Sequence, residues 1–130
     1  SERPTVLIDG AHNPQGAEAL AESLKQLYGK RRLCLVIGQL EDKAGPEFFR
    51  PLLSLAETVI LTEPEFPRKA AAQTLKEIAA TVAPSADIRV EPDWRKAVAV
   101  AVEQAAEDDV VVVTGSLYLV GDVRKWWKNR

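Results

Sequence analysis

The sequence predicts an α/β fold, an open and mostly parallel sheet with helices on both of its faces. Three observations predict it. Five strand-like runs alternate with five helix-like runs along the 130 residues. Four of the strand-like runs are short, continuous and rich in Val, Ile and Leu, as strands buried on both faces are. Strict alternation of strand and helix also implies right-handed crossovers, which lay the helices against both sides of a parallel sheet. The expected architecture is a three-layer, Rossmann-like sheet of five to six strands.

The first strand is Thr5–Asp9. Asn13 is a good cap for the helix that follows, Pro14 suits its first position and Gly29 suits C′, just past its end. Ala17, Leu20, Ala21, Leu24, Leu27 and Tyr28 fall on one stripe of that helix at a spacing of about 3.6 residues. The second strand, Leu33–Gly38, contains Cys34, read as a buried small hydrophobe. A second helix is expected from near Pro46 to about Ala56, with Pro51 marking a break or kink. The third strand is Thr58–Thr62, and a helix from near Pro67 buries Ala71, Leu75, Ile78, Ala79 and Val82. Ile88–Glu91 alternates apolar with charged residues, the pattern of an edge strand. Asp93 caps a fourth helix that turns Trp94, Ala97, Val98, Ala101 and Ala105 inward. After the fifth strand, Val110–Thr114, the last helix starts near Ser116. It buries Leu119, Val120, Val123 and one or both of Trp126 and Trp127. Lys128-Asn129-Arg130 is expected to fray.

A chain of this length suits one domain, able to bury roughly two-thirds of its unfolded surface without a disulfide or metal staple. Apolar residues at 46% and charged residues at 28% are ordinary globular values. A net charge of −2 with scattered Lys and Arg offers no basic face of the kind nucleic acid requires. One Cys and one His supply no structural metal site. The apolar runs fall far short of the ~20 residues of a membrane span, and no signal-peptide pattern is present. The expected compartment is the cytoplasm. The sequence has no Met and opens Ser1-Glu2-Arg3-Pro4, so a domain cut from a longer polypeptide is expected.

All strand C-termini of a parallel sheet lie on one edge, where open α/β sheets bind ligands. Four loops meet there: Asp9–Asn13, Gly38–Pro46, Thr62–Pro67 and Thr114–Ser116. The first places a carboxylate, Asp9, and the chain's sole histidine, His12, beside a helix N-terminus, whose free N–H groups favour anions. That suggests a phosphorylated or carboxylated ligand. The second loop carries Lys43 and two acids, the third leads into Arg68, and the fourth brings the Ser116 hydroxyl to a helix start. Each has a simpler reading. Asp9-Gly10 can be turn chemistry with His12 at the surface, Lys43 and Arg68 can be solvated charges, and Ser116 can be a plain N-cap, although a cap residue can also meet an anion. No G-x-x-x-x-G-K-[ST] holds a triphosphate and no G-x-G-x-x-G holds a dinucleotide. Ser116, His12 and Asp9 are the inventory of a hydrolytic triad, but no G-x-S-x-G elbow surrounds the serine. A phosphoacceptor receiver would need paired acids after the first strand and an Asp ending the third, where a single Asp9 and Thr62 stand.

Asp9-Gly10-Ala11-His12-Asn13-Pro14-Gln15-Gly16-Ala17 resembles the signature of the C-terminal domain of folylpolyglutamate synthase/dihydrofolate synthase, in the Mur ligase superfamily. Val113-Thr114-Gly115-Ser116-Leu117-Tyr118-Leu119-Val120-Gly121-Asp122-Val123-Arg124 is similar to that family's closing motif. Gly38-Gln39-Leu40-Glu41-Asp42-Lys43 and Pro67-Arg68 resemble its second and third loops. Asp-x-Ala-His is shared with the peptidoglycan Mur ligases, whereas Gly-Ser-Leu-Tyr-Leu-Val-Gly points to the folate branch. The resemblance implies the last part of a ligase in which ATP phosphorylates a pteroate or folate carboxylate and L-glutamate attacks the acyl phosphate. It implies Asp9 on the nucleotide, at the ribose hydroxyls, and His12 as the catalytic residue, facing the phosphates or the incoming glutamate. It places Ser116, His12, Lys43 and Arg68 as glutamate contacts. ATP and Mg2+ would be gripped mainly by an N-terminal ATPase domain of the same polypeptide, with a linker Arg upstream of Ser1, so the isolated domain is expected to be inactive. Two positions depart from the family pattern: Ala44 follows Lys43 where another Asp is frequent, and Asp122 stands where Glu is usual. The competing expectations are the matching domain of a peptidoglycan Mur ligase and a non-catalytic nucleotide- or acid-binding module. No nucleic acid or membrane partner is expected.

Overall fold

In the computed structural model, which describes residues 4–129, one sheet organises the chain. Its strands are β1 (Thr5–Ile8), β2 (Leu33–Ile37), β3 (Thr58–Glu63), β4 (Asp87–Asp93) and β5 (Val110–Thr114), in the order β1-β5-β2-β3-β4. Every strand pairing in it is parallel. The helices are α1 (Pro14–Tyr28), α2 (Pro46–Leu53), α3 (Ala72–Val82), α4 (Trp94–Gln104) and α5 (Leu117–Asn129), with a 3₁₀ turn at Glu41–Lys43.

The order explains the layers. From β1 through β2, β3 and β4 the chain steps one way, and right-handed crossovers place α1, α2 and α3 on one face. There Leu20, Leu24, Phe48, Phe49 and Leu75 pack on Leu35, Ile37, Leu61 and Val112. From β4 the chain steps back to β5, which sends α4 to the other face. There Trp94, Val98, Leu119 and Val123 meet Val36, Ile60, Val111 and Val113. Strand side chains alternate between faces, so Val110 and Val112 serve one core while Val111 and Val113 serve the other. Loops after β1 and β2 leave toward one face and the loop after β5 toward the other. The resulting switch point opens a crevice beside β5.

Five expectations need correction. The apolar run of β1 suggests burial on both faces. It pairs only with β5, forms the second edge of the sheet, and is half-buried. A short apolar run carries no mark of which strand lies beside it. α2 stops at Leu53 rather than Ala56, because Pro51 has no N–H for the Glu47 carbonyl and the chain tightens into short turns two residues later. α3 starts at Ala72 rather than near Pro67. The residues ahead of it pair with the second loop instead: Ala70 N–H donates to the Gln39 carbonyl and Glu41 N–H to the Arg68 carbonyl, both at 2.8 Å. The Glu63 carboxylate then accepts the Ala72 N–H at 2.9 Å, so Ala71 is exposed rather than inward. Gly29 ends α1 with ordinary right-handed dihedrals, not as a left-handed C′ residue. Lys128 and Asn129 stay in α5 rather than fraying, while Arg130 and Ser1 to Arg3 lie outside the described residues. Asn13, Asp93 and Ser116 cap their helices as expected, β4 is an edge, and both Trp126 and Trp127 pack on the second core. Cys34 is only partly buried, at the margin of the second core, and that burial pushes its thiol up to about 11.

Three outcomes test this fold. Asn13→Ala removes the bond from Gly16 N–H, 2.8 Å long, and should cost about 1 kcal/mol in urea unfolding. Gly115 has φ +114°, and a Cβ there would sit 2.4 Å from the Gly38 carbonyl oxygen. Gly115→Ala should cost about 2 kcal/mol or more in the same measurement. At the far edge of the sheet Arg32 bonds both oxygens of Asp109, at 3.1 and 2.9 Å. Those bonds hold the Asp109 carboxyl below the usual carboxylate range, against partial burial and with help from the Ala106 N–H. A lowered folded-state value stabilises above the unfolded value of about 3.9 and is lost as pH falls through the folded one. The Tm gap between wild type and Asp109→Asn should therefore be open at pH 7 and close below about pH 4.

Candidate functional site

Asp9 follows β1 directly, and its N–H still donates to the Val113 carbonyl at 2.9 Å. Its Oδ1 accepts the Ala11 N–H at 2.9 Å, which turns the chain out of the sheet. At Gly10 a Cβ would come 2.9 Å from Leu117 Cδ2, the tip of a largely exposed side chain that can shift away. His12 Nδ1 lies 2.9 Å from the Gly10 carbonyl oxygen. A carbonyl only accepts, so Nδ1 is the donor in this contact, and in the neutral imidazole Nε2 then carries the lone pair.

The Ala11 carbonyl links this loop to the exit of β5, accepting from Gly115 N–H at 2.9 Å and from Thr114 Oγ1 at 3.2 Å. Ser116 follows, 2% exposed. Its Oγ accepts from Tyr118 N–H at 3.1 Å and Leu119 N–H at 3.5 Å, which caps α5 and leaves the hydroxyl proton to donate elsewhere. Cap and contact are thus compatible at Ser116.

His12, Lys43 and Ser116 line one cleft of about 70 Å³, walled by Leu40, Leu117 and Tyr118. The cleft lies at the switch point beside β5. Its volume accommodates a small charged group and not a nucleotide. Asp9 stands on the same sheet edge but does not line it, and neither does Arg68. The Arg68 guanidinium lies 5.4 Å from the Phe66 ring centroid, and that ring stacks on Tyr118. Ala44, at the position that departs from the family pattern, packs against the first core. Among the described residues no three His, Cys, Asp or Glu side chains converge as a metal site requires, and no helix is long and apolar enough to cross a membrane.

The apolar walls were missed from sequence. Leu117 and Tyr118 are 61% and 47% exposed, large apolar side chains left in water at the rim. The available signal was their position in the first turn after the Ser116 cap, where a side chain flanks whatever the helix end binds. Gln39 was also missed. It is fully buried beside Leu40, and neither of its amide atoms has a partner.

Dihydrofolate synthase/folylpolyglutamate synthase of Bacillus subtilis is 32% identical over 124 residues, covering 95% of this chain and 28% of that protein. The Escherichia coli enzyme of the same description is 36% identical over 123 residues, with 95% and 28% covered. The structure of E. coli FolC in complex with ADP matches with a TM-score of 0.88 and 32% identity, covering 100% of this chain and 30% of that one. Mycobacterium tuberculosis folylpolyglutamate synthase complexed with ADP and AMPPCP matches with a TM-score of 0.86 and 30% identity, covering 95% and 30%. A Buchnera aphidicola UDP-N-acetylmuramoyl-L-alanyl-D-glutamate–2,6-diaminopimelate ligase is 28% identical over 118 residues, with 87% and 23% covered. The chain thus spans less than a third of the length of these relatives. The family described as Mur ligase, glutamate ligase domain, matches residues 1–117, and the chain belongs to that family.

Proposed function

We propose that this chain is the C-terminal, glutamate-adding domain of an ATP-dependent folate ligase. The observation that carries the reading is the convergence of His12, Lys43 and Ser116 on one cleft between the starts of α1 and α5. These three residues bring a cation, a hydroxyl and an imidazole to the margin of one small volume whose own exposed lining is almost wholly apolar. A glutamate carboxylate would accept from Ser116 Oγ and pair with the Lys43 ammonium. The amine must be neutral to attack an acyl phosphate, and in this reading His12 Nε2, as the neutral imidazole, accepts its proton. Phosphate then leaves as the amide forms. Asp9, at the sheet edge beyond the cleft, keeps one oxygen on the Ala11 N–H, and in this reading its other oxygen accepts from the ribose hydroxyls of a nucleotide. The solved relatives that hold ADP, AMPPCP, or AMPPNP with a Mn ion support a nucleotide and a divalent cation in the whole ligase. Among the described residues the acidic side chains form no cluster suited to that cation. We therefore assign Mg2+ and the triphosphate to an N-terminal ATPase domain of the same polypeptide.

The diaminopimelate ligases at 28 to 30% identity favour a second reading, the same domain in a peptidoglycan ligase. The full-length ligase carrying this domain separates the two. ADP release should depend on dihydropteroate or folate with L-glutamate, not on a UDP-muramyl dipeptide with diaminopimelate, and these 130 residues alone should show no turnover. In the full-length protein His12→Ala should lower kcat by about 10²- to 10⁴-fold. Asp9→Asn keeps an oxygen for the Ala11 N–H, so it should raise the KM for ATP while leaving Tm within about 2 °C.

A further inference from the structure

Resting on that reading, we propose that Phe66 is a positioning residue for the cleft: its ring fixes the Tyr118 wall and so sets how tightly glutamate is held. Tyr118 occupies the first turn of α5 with nearly half of its surface in water. A side chain so exposed hops between rotamers unless something packs against it. Phe66 packs against it, with ring centroids 3.9 Å apart and planes inclined by 22°.

Phe66 is itself held. It stands between Pro64, which is buried, and Pro67, each with a restricted φ. Its N–H donates to the Pro64 carbonyl at 3.0 Å and its carbonyl accepts from Lys69 N–H at 3.1 Å. The next residues join the second loop through the Leu40–Lys69 bridge and the two flanking hydrogen bonds described above. That second loop carries Lys43. The first and fourth loops are tied separately through the Ala11 carbonyl. The roots of the second and fourth loops already meet where Gly38 N–H donates to the Thr114 carbonyl at 3.3 Å; the stack of Phe66 on Tyr118 adds a second tie farther out, at the wall of the cleft that Lys43, Leu40, His12 and Ser116 line. The Arg68 guanidinium, 5.4 Å from the ring centroid, adds a further contact to Phe66.

The test uses the full-length ligase, with Phe66→Leu to remove the flat ring while keeping apolar bulk, and Phe66→Tyr to restore it. Phe66→Leu should raise the KM for L-glutamate about 3- to 10-fold, the range one aromatic stack supports. The kcat should stay within about twofold, because the reacting groups are untouched. Phe66→Tyr should return KM to the wild-type value. The stack is read apart from catalysis in protein labelled with 3-fluorotyrosine, the Tyr118 resonance being assigned by Tyr118→Phe; Phe66→Leu should move that resonance. A moved resonance with an unchanged KM overturns the proposal, as does an unmoved resonance or a parallel fall of kcat and Tm. A wild-type ligase that does not use L-glutamate overturns the ligase reading and this inference with it, whereas an active wild type unaffected by Phe66→Leu overturns the inference alone.

Discussion

The Ala11 carbonyl holds the site together. It accepts from the Gly115 N–H and the Thr114 hydroxyl, 103 residues away in the case of Thr114. Those bonds exist only because β5 is inserted beside β1, and β5 reaches that place only because the chain steps back across the sheet after β4. Gly115 makes the approach possible: its left-handed backbone lets the turn after β5 lie against the Gly38 carbonyl without a side chain between. One turn therefore sets the spacing between the loops after β1, β5 and β2. A change in strand order would leave His12 and Ser116 on loops that do not meet.

This spacing has an electrostatic consequence. α1 and α5 both begin at the carboxyl edge, and each is capped by a short polar side chain that satisfies only part of its free N–H set. Their positive ends lie on either side of the cleft, with the Lys43 charge on a third. On the proposed reading a carboxylate entering there would lose water and meet the Lys43 cation and the Ser116 hydroxyl. Each contribution is modest at an exposed position. The apolar walls of Leu40, Leu117 and Tyr118 would strengthen them by lowering the local dielectric.

The parts legible in the sequence were those whose causes are local. The four valines of β5 have two buried faces and read as such, and Asn13-Pro14 and Asp93 announce their helices by cap chemistry that needs no partner elsewhere. What failed had distant causes. Residues 67–71 suit a helix start, but a turn through Pro67 and Arg68 and hydrogen bonds to Gln39 and Glu41 tie the segment to the second loop instead, and the Glu63 cap comes from nine residues upstream. β1 reads like an interior strand because its four residues do not say which neighbour it lacks. At the site, charge and hydrogen-bonding type singled out His12, Lys43 and Ser116, while the walls stayed hidden. Leu40, Phe66 and Tyr118 matter through surfaces that only the assembled loops bring into contact.

Those walls also bear on how the proposed ligase works. A cleft of about 70 Å³ is far below the several hundred Å³ that enclose a nucleotide or a pterin. Its rim keeps Leu117 and Tyr118 largely in water, an arrangement that gains free energy only when another surface covers them. An acyl phosphate needs such a cover, since water competes with the glutamate amine for the same carbon. On this reading one surface serves both needs. The N-terminal domain would carry the triphosphate and the activated carboxylate to the cleft, and in covering the rim it would expel the water that hydrolyses the intermediate. Burial of Leu117 and Tyr118 then favours the closed state only when the two domains meet, which couples exclusion of water to the arrival of the electrophile.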